Sequence, residues 1–273
     1  MSEHVNLSPS ALDMLSRCGE QYRFRYIEGL RIPPAVNMIV GRAVDQSVNV
    51  NLQTKIATGG LLEADVVRDV AAETCSNEFD PDNVTLDEDE RSRGVDAVRG
   101  EAIDKSVRLA HLHHVAVAPA ISPVHVQRRW ELEVAGRDAT IRGIVDVDEG
   151  PGHVRDTKTS KKSPTASAAD DSEQLTAYAL AHRVLDGAQE VEVALDHLVD
   201  LKTPKVVTLR SRRAMPDFER FLARVDRGLL AIRAGIFVPA RPTDWWCSER
   251  WCGYHDRCPF ARRPVQVAAV GGS

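Results

Sequence analysis

The sequence predicts an α/β fold, a mixed sheet flanked by helices. Three observations carry this. Apolar residues alternate with polar ones from Val124 to Thr159 across two turn signals, segments of helical spacing lie on both sides of that region, and residues 190 to 210 read as two further strands. A chain of 273 residues with 43% hydrophobic and 27% charged side chains has enough apolar material for a core, which excludes a wholly disordered or collagen-like protein. Residues 1–263 are expected to form one domain with a helical, acidic insertion at about 55–118, and residues 264–273 a disordered tail. No repeat recurs at a fixed spacing.

Ser8-Pro9-Ser10 ahead of Ala11, Leu12, Met14 and Leu15 carries a cap and a first-turn proline, so a helix is expected from there past Cys18 toward Gly29. Its second half, Gln21 to Tyr26, interleaves aromatic and basic residues. That pattern serves either a core-covering helix whose arginines reach phosphate or an amphipathic helix with solvated arginines. After Pro33-Pro34 a helix is expected from Gly41 to about Leu52. Residues 61 to 104 hold 14 acidic and 4 basic side chains, a net −10, and read as two helices around an acidic loop at Asp87–Glu90. The loop lacks the spacing and glycine of an EF-hand, so it reads as a solvated face. Val124 to Val134 is the first strand of an antiparallel meander. Gly136-Arg137-Asp138 turns the chain into Thr140 to Val147, and Gly150-Pro151-Gly152 turns it into His153 to Thr159. Residues 170 to 184 return to helical spacing, as do Pro216 to about Ala234.

The formal net charge of −5 advertises no uniformly basic surface, yet it averages unlike regions. Residues 201 to 234 carry nine Lys or Arg against three Asp or Glu, a net +6, and with Arg155, Lys161 and Lys162 they form a candidate polyanion track. No apolar run is long enough to span a membrane and no leader pattern opens the chain. A cytoplasmic protein without a membrane partner is therefore expected.

Asp146 ends Gly143-Ile144-Val145-Asp146, and across the Gly-Pro-Gly turn comes Asp156-Thr157-Lys158. Strand alternation puts Asp156 and Lys158 on one face. If the two strands pair, Asp146 converges with them, giving two carboxylates for Mg²⁺ or Mn²⁺ beside an ammonium that can orient water or stabilise phosphoryl charge. Two surface strands sharing an ion pair would give the same pattern. Gln174 and Tyr178 stand at i and i+4 on the following helix, placed to contact a nucleic-acid backbone, to support Lys158, or simply to half-bury a helix face. Five cysteines are too few and too odd in number for a disulfide framework. Cys247, Cys252 and Cys258 cluster near the end of the sequence, and with the remote Cys18 they fit a four-thiolate metal centre, holding zinc or an iron–sulfur cluster. His255 is an alternative zinc ligand, and Cys75 reads as a small core residue.

In order and spacing these motifs, from Leu7-Ser8-Pro9-Ser10 through Cys18, Tyr22–Tyr26, Gly41–Asp45, Gly143-x-x-Asp146, Asp156-x-Lys158 and Gln174-x-x-x-Tyr178 to the cysteine trio, resemble one family. It is the RecB-type branch of the PD-(D/E)XK nuclease superfamily, in particular the iron–sulfur exonucleases related to the AddB nuclease domain and to the CRISPR adaptation nuclease. The resemblance implies a restriction-endonuclease-like fold whose termini are stapled by a structural [4Fe–4S] cluster on Cys18, Cys247, Cys252 and Cys258. It implies Asp146 and Asp156 as metal ligands, Lys158 as the catalytic lysine, and Gln174 and Tyr178 as the auxiliary pair. Most relatives carry a metal-reaching histidine where this chain has Asp45. A third carboxylate ligand would harden the site toward Mg²⁺, and the alternative is a catalytically weak module that binds DNA ends. The implied reaction is Mg²⁺- or Mn²⁺-dependent exonucleolytic hydrolysis of single-stranded DNA or duplex ends. The implied partner is a helicase or recombination protein, in the cytoplasm or, for a phage-encoded chain, that of the host.

Overall fold

In the computed structural model, which describes residues 4–150 and 152–263, the chain begins with a short strand β1 (Val5–Leu7) and helix α1 (Pro9–Arg17). Ser8 caps α1, its hydroxyl accepting from the Ala11 amide at 3.2 Å, with Pro9 in the first turn. Helices α2 (Gly19–Tyr22) and α3 (Val36–Thr58) follow, separated by a π-helical turn over Arg23–Ile27, and then α4 (Ala64–Glu78), α5 (Glu88–Arg93) and α6 (Val95–Ala116). Strands β2 (His125–Glu133), β3 (Ala139–Asp148) and β4 (His153–Ser160) come next. Helix α7 (Glu173–Leu185), strands β5 (Val191–Val199) and β6 (Lys205–Arg213), and helix α8 (Met215–Arg233) complete the regular elements.

Strand β3 is the hinge of the sheet. It pairs antiparallel with β2 along most of its length, parallel with β1 at its start, and antiparallel with β4 only at Val147↔Arg155 and Asp148↔Val154. Beyond those two pairs β3 and β4 diverge. Gly150 and Gly152 make the tight turn between them with φ of +106° and +82°, and a Cβ at Gly152 would meet the Glu190 carbonyl at 2.6 Å. Strand β4 continues parallel to β5 from His153↔Glu192 to Ser160↔Val199, and β6 closes the far edge antiparallel to β5.

Two apolar layers cover the sheet. Leu12, Leu175, Phe218, Phe221 and Leu229 from α1, α7 and α8 pack on one face against Ile141, Val145, Val154 and Val193. Ile39, Val44, Leu52, Cys75, Val98 and Leu109 from α3, α4 and α6 pack on the other against Val147 and Leu198. Residues two apart on a regular strand share a face, so Val145 and Val147 in opposite layers mark a break in β3 at Asp146. Opposite that break Gln127 adopts φ +56°, and although Val126↔Val147 and Arg128↔Val145 pair on either side, Gln127 and Asp146 do not. Among the described residues no helix is long and apolar enough to cross a membrane.

Several expected boundaries are corrected. The first helix does not run through to Gly29. It stops at Cys18, whose extended backbone (φ −159°, ψ 105°) lets the chain restart as α2 and then widen into the π-helical turn. Helix α3 starts five residues before Gly41 and runs to Thr58, because Val36, Ile39, Val40, Ala43 and Val44 form one buried stripe. The acidic region folds as three helices, not two. Asp87–Glu90 is no loop but the capping box and first turn of α5, where carboxylates complement the helix dipole. The region's acidic side chains are mostly exposed and none is buried. The expected disordered tail at 264–273 lies outside the described residues.

Candidate active site

The divergence of β3 from β4 opens the site. Asp146 sits at the break within β3, while Asp156 and Lys158 project from β4 two residues apart. The Asp156 carboxylate is 1% exposed. Its Oδ1 accepts from Lys158 Nζ at 3.0 Å, and its Oδ2 lies 2.8 Å from the same ammonium without hydrogen-bond geometry, a buried acceptor left unsatisfied. Burial, and then the charge of Asp156, pushes the Asp146 carboxyl up to about 9, so it keeps its proton at neutral pH. Asp45, from the middle of α3, is also shifted upward, chiefly by burial, with Asp156 adding to the shift and a 3.2 Å hydrogen bond from Asn49 Nδ2 opposing it. Burial alone would lower the Lys158 pKa, but the carboxylates of Asp156 and Asp146 outweigh it and hold it above the ordinary lysine value. From α7, started by a Ser172 cap on the Leu175 amide, Tyr178 is buried against the same carboxylates. Burial, and then Asp146 and Asp156, raises its phenol, and Gln174 Nε2 donates to its oxygen.

The structure thus brings Asp45, Asp146, Asp156, Lys158, Gln174 and Tyr178 to one place from elements that flank the β3–β4 divergence. The sequence reading missed three neighbours. Asn49 holds Asp45, Gln127 donates to Asn49 Oδ1 at 3.4 Å, and His197 stands beside Lys158 in the β4–β5 register. His197 is recoverable from pairing β5 with β4, whereas the two amides leave no spacing signal. A site that must keep a proton on one carboxyl and leaves a buried carboxylate oxygen unsatisfied is short of positive charge, and hard oxygen donors of this kind fit a divalent cation. Among the described residues no three His, Cys, Asp or Glu side chains stand in a geometry that would hold a metal ion.

All five cysteines are free thiols. Cys18, Cys247, Cys252 and Cys258 line one cavity together with Gln21, Trp246 and His255, while Cys75 is buried on the core face of α4. Gln21 Nε2 donates to Cys252 Sγ at 3.2 Å, and the Ala240 amide to Cys18 Sγ at 3.4 Å. Burial first, and then the sulfurs of their neighbours, raises the Cys247 thiol. Cys258 is raised by burial too, with the nearby sulfurs adding to it. Two of the four sulfurs, those of Cys18 and Cys252, thus accept N–H bonds. Beside this cavity Trp245 and Trp251 are 62% and 58% exposed, edge to face at 5.4 Å, and the Arg250 guanidinium lies 5.3 Å from the Trp251 ring centre.

The expected basic track is corrected in part. Arg155 is buried and paired with Asp196 at 2.7 Å and Glu149 at 3.0 Å, and Arg213 is buried against Thr176. Arg210 and Arg224 are engaged by Glu192 and Glu173. Lys161, Lys162, Lys202 and Lys205 are exposed. Because β4 and β5 run parallel with Ser160 beside Val199, these four lysines gather at one end of the sheet, just beyond Lys158.

The family model described as the PD-(D/E)XK nuclease superfamily matches residues 6–259. A crystal structure from Eubacterium rectale, of a protein provisionally described as an exonuclease, is similar over 96% of this chain and 91% of its own at a TM-score of 0.57 and 13% identity, a likeness of fold. The structure of SSO0001 overlays at a TM-score of 0.43 with 13% identity, covering 96% of this chain and 90% of its own. No curated protein matches the sequence.

Proposed function

Because the chain belongs to the PD-(D/E)XK nuclease superfamily, we propose that it is a divalent-metal-dependent deoxyribonuclease acting as an exonuclease on single-stranded DNA or duplex ends. The observation that carries this is the convergence of Asp146, Asp156 and Lys158 where β3 and β4 part. Asp146 and Asp156, with Asp45, would hold Mg²⁺ or Mn²⁺. When bound, the cation supplies positive charge against a phosphoryl oxygen and lowers the pKa of water. Lys158, its ammonium paired with Asp156 and held above the ordinary lysine value, acts as an electrostatic donor to charge developing on the phosphate rather than as a base. Tyr178 keeps its proton. With its oxygen already accepting from Gln174, its hydroxyl is free to donate to a phosphate oxygen and fix the strand.

The four lysines at the sheet end offer phosphate contacts next to this centre. The exposed Trp245 and Trp251 with Arg250 offer ring faces on which unpaired bases stack, which favours single strands. Cys18, Cys247, Cys252 and Cys258 are read as ligands of a structural [4Fe–4S] cluster, with zinc as the rival occupant. No electron transfer is needed for hydrolysis.

End-labelled single strands and duplexes, incubated with Mg²⁺ or Mn²⁺, test the reading. Wild type should cleave progressively from an end, while Asp156→Ala and Lys158→Ala should each lose about 10²-fold or more in rate. Equal cleavage by all three proteins, or none by any, overturns it. The second case with retained DNA binding would favour the weak end-binding module that Asp45 suggests.

A further inference from the structure

Gln127 is the one described non-glycine residue with a positive φ, and it stands in β2 opposite the unpaired Asp146. Long side chains rarely adopt that backbone, and glycine would adopt it freely. The conformation has two consequences. It interrupts the β2–β3 ladder at Asp146, and it places the Gln127 amide 3.4 Å from Asn49 Oδ1. Asn49 is 6% exposed and lies one turn after Asp45 on α3, where it uses its own N–H group on Asp45 Oδ2 at 3.2 Å. Donors and acceptors run one way, Gln127 to Asn49 to Asp45, so both amides are oriented and the carboxylate is held at one oxygen. A β2 residue thereby bears on one acidic group through its backbone pairing and on another through its side chain.

We propose that Gln127 and Asn49 are positioning residues, a two-amide brace that sets the Asp45 carboxylate for divalent-cation binding and fixes its relation to Asp146. The proposal rests on the metal-dependent reading of the site. In this role neither residue has to touch substrate. Groups that hold metal ligands in place act on affinity for the ion more than on the rate once the ion is bound, and their loss costs about 10–100-fold in affinity.

The test is Mn²⁺ binding to the full chain, followed by the electron paramagnetic resonance of free Mn²⁺, alongside melting temperature and the Mn²⁺ dependence of cleavage. Gln127→Gly is the decisive variant, because glycine accepts the positive φ while removing the amide. It should melt at or above the wild-type temperature yet bind Mn²⁺ about tenfold more weakly, with cleavage at saturating Mn²⁺ within about threefold of wild type. Asn49→Ala should show the same loss, and the double variant no further loss, since the two amides act in series. Unchanged Mn²⁺ affinity in Gln127→Gly overturns the brace while leaving the nuclease reading intact, provided Asp156→Ala abolishes binding. A wild-type protein that binds no Mn²⁺ and cleaves nothing overturns both.

Discussion

Burial beside Asp156 and Asp45 pushes the Asp146 carboxyl up to about 9 in the metal-free site, whereas in the unfolded chain an aspartate titrates near ~3.9. The folded state therefore holds a proton that the unfolded state releases as pH rises past about 4. Folding stability falls with rising pH between those two values and is unaffected by this group below them. Asp146→Asn removes the titration. It should leave the melting temperature unchanged near pH 4 and raise it progressively toward pH 8 in the presence of a chelator, by roughly 2–4 °C for each kcal/mol relieved, while abolishing cleavage. Mg²⁺ or Mn²⁺ should raise the melting temperature of wild type and not of the variant, since only the former gains a ligand that binds the native state. Thermal unfolding from pH 4 to 9, with and without the cation, reads both. An Asp146→Asn protein no more stable than wild type at pH 8 would mean that Asp146 is not buried against its neighbours as described.

At the scale of the element, β3 carries a steric demand besides the acid. Gly143 lies opposite Trp130 in the ladder, and a Cβ there would stand 2.7 Å from Trp130 Cζ2. Trp130 in turn meets Tyr178 edge-on at 6.4 Å. Gly143→Ala should therefore drive the indole toward the active-site phenol, costing about 1–3 kcal/mol, roughly 2–12 °C in melting temperature, together with cleavage rate. Gly41→Ala on α3 is the control, because its Cβ would meet only Thr159 Oγ1 at 3.6 Å, ordinary contact; equal effects of the two would refute the steric account. These elements also show what the sequence could and could not reveal. Alternation from Val124 to Val147 and the turn glycines disclosed β2, β3 and β4, and with them the meeting of Asp146, Asp156 and Lys158. The parallel pairing of β4 with β5 was hidden, since a strand's periodicity says nothing of its neighbour. Strand β1 has three residues, too few for a period. The stop at Cys18 is imposed by tertiary contacts, with Gly19 packed so closely on the 237–238 backbone that a Cβ would fall 2.5 Å from the Val238 nitrogen. Gln127 sits in an unbroken run of alternating residues, so neither its kink nor its link to Asn49 had any local signature.

Across the whole molecule the chain after α8 runs to residue 263 without strand or α-helix, and little apolar surface holds it down. Its small cluster is Phe24, Cys252, Tyr254 and Cys258, aided by hydrogen bonds from Gly19 N to Val238 O at 2.7 Å and from Tyr254 to Leu30 O at 3.0 Å. Four thiols in so thin a core would be a weak anchor alone, since burial and their mutual proximity already resist ionisation at Cys247 and Cys258. The metal centre proposed for those sulfurs would change the balance, because it would bind only the folded arrangement and so add its binding free energy to that of the fold. It would tie the break after α1 to the far end of the chain, next to the exposed Trp245 and Trp251. Protein purified without oxygen should be brown and contain iron; stoichiometric zinc in a colourless protein would replace the cluster with a zinc site that can recruit His255. In either case Cys18→Ser should expose the 237–263 segment to limited proteolysis and weaken binding to single strands. The β3–β4 site should keep its Mn²⁺ affinity, because no cysteine reaches it. Identical proteolysis of variant and wild type would show that the thiols are packing residues and that the segment is held by its hydrogen bonds alone.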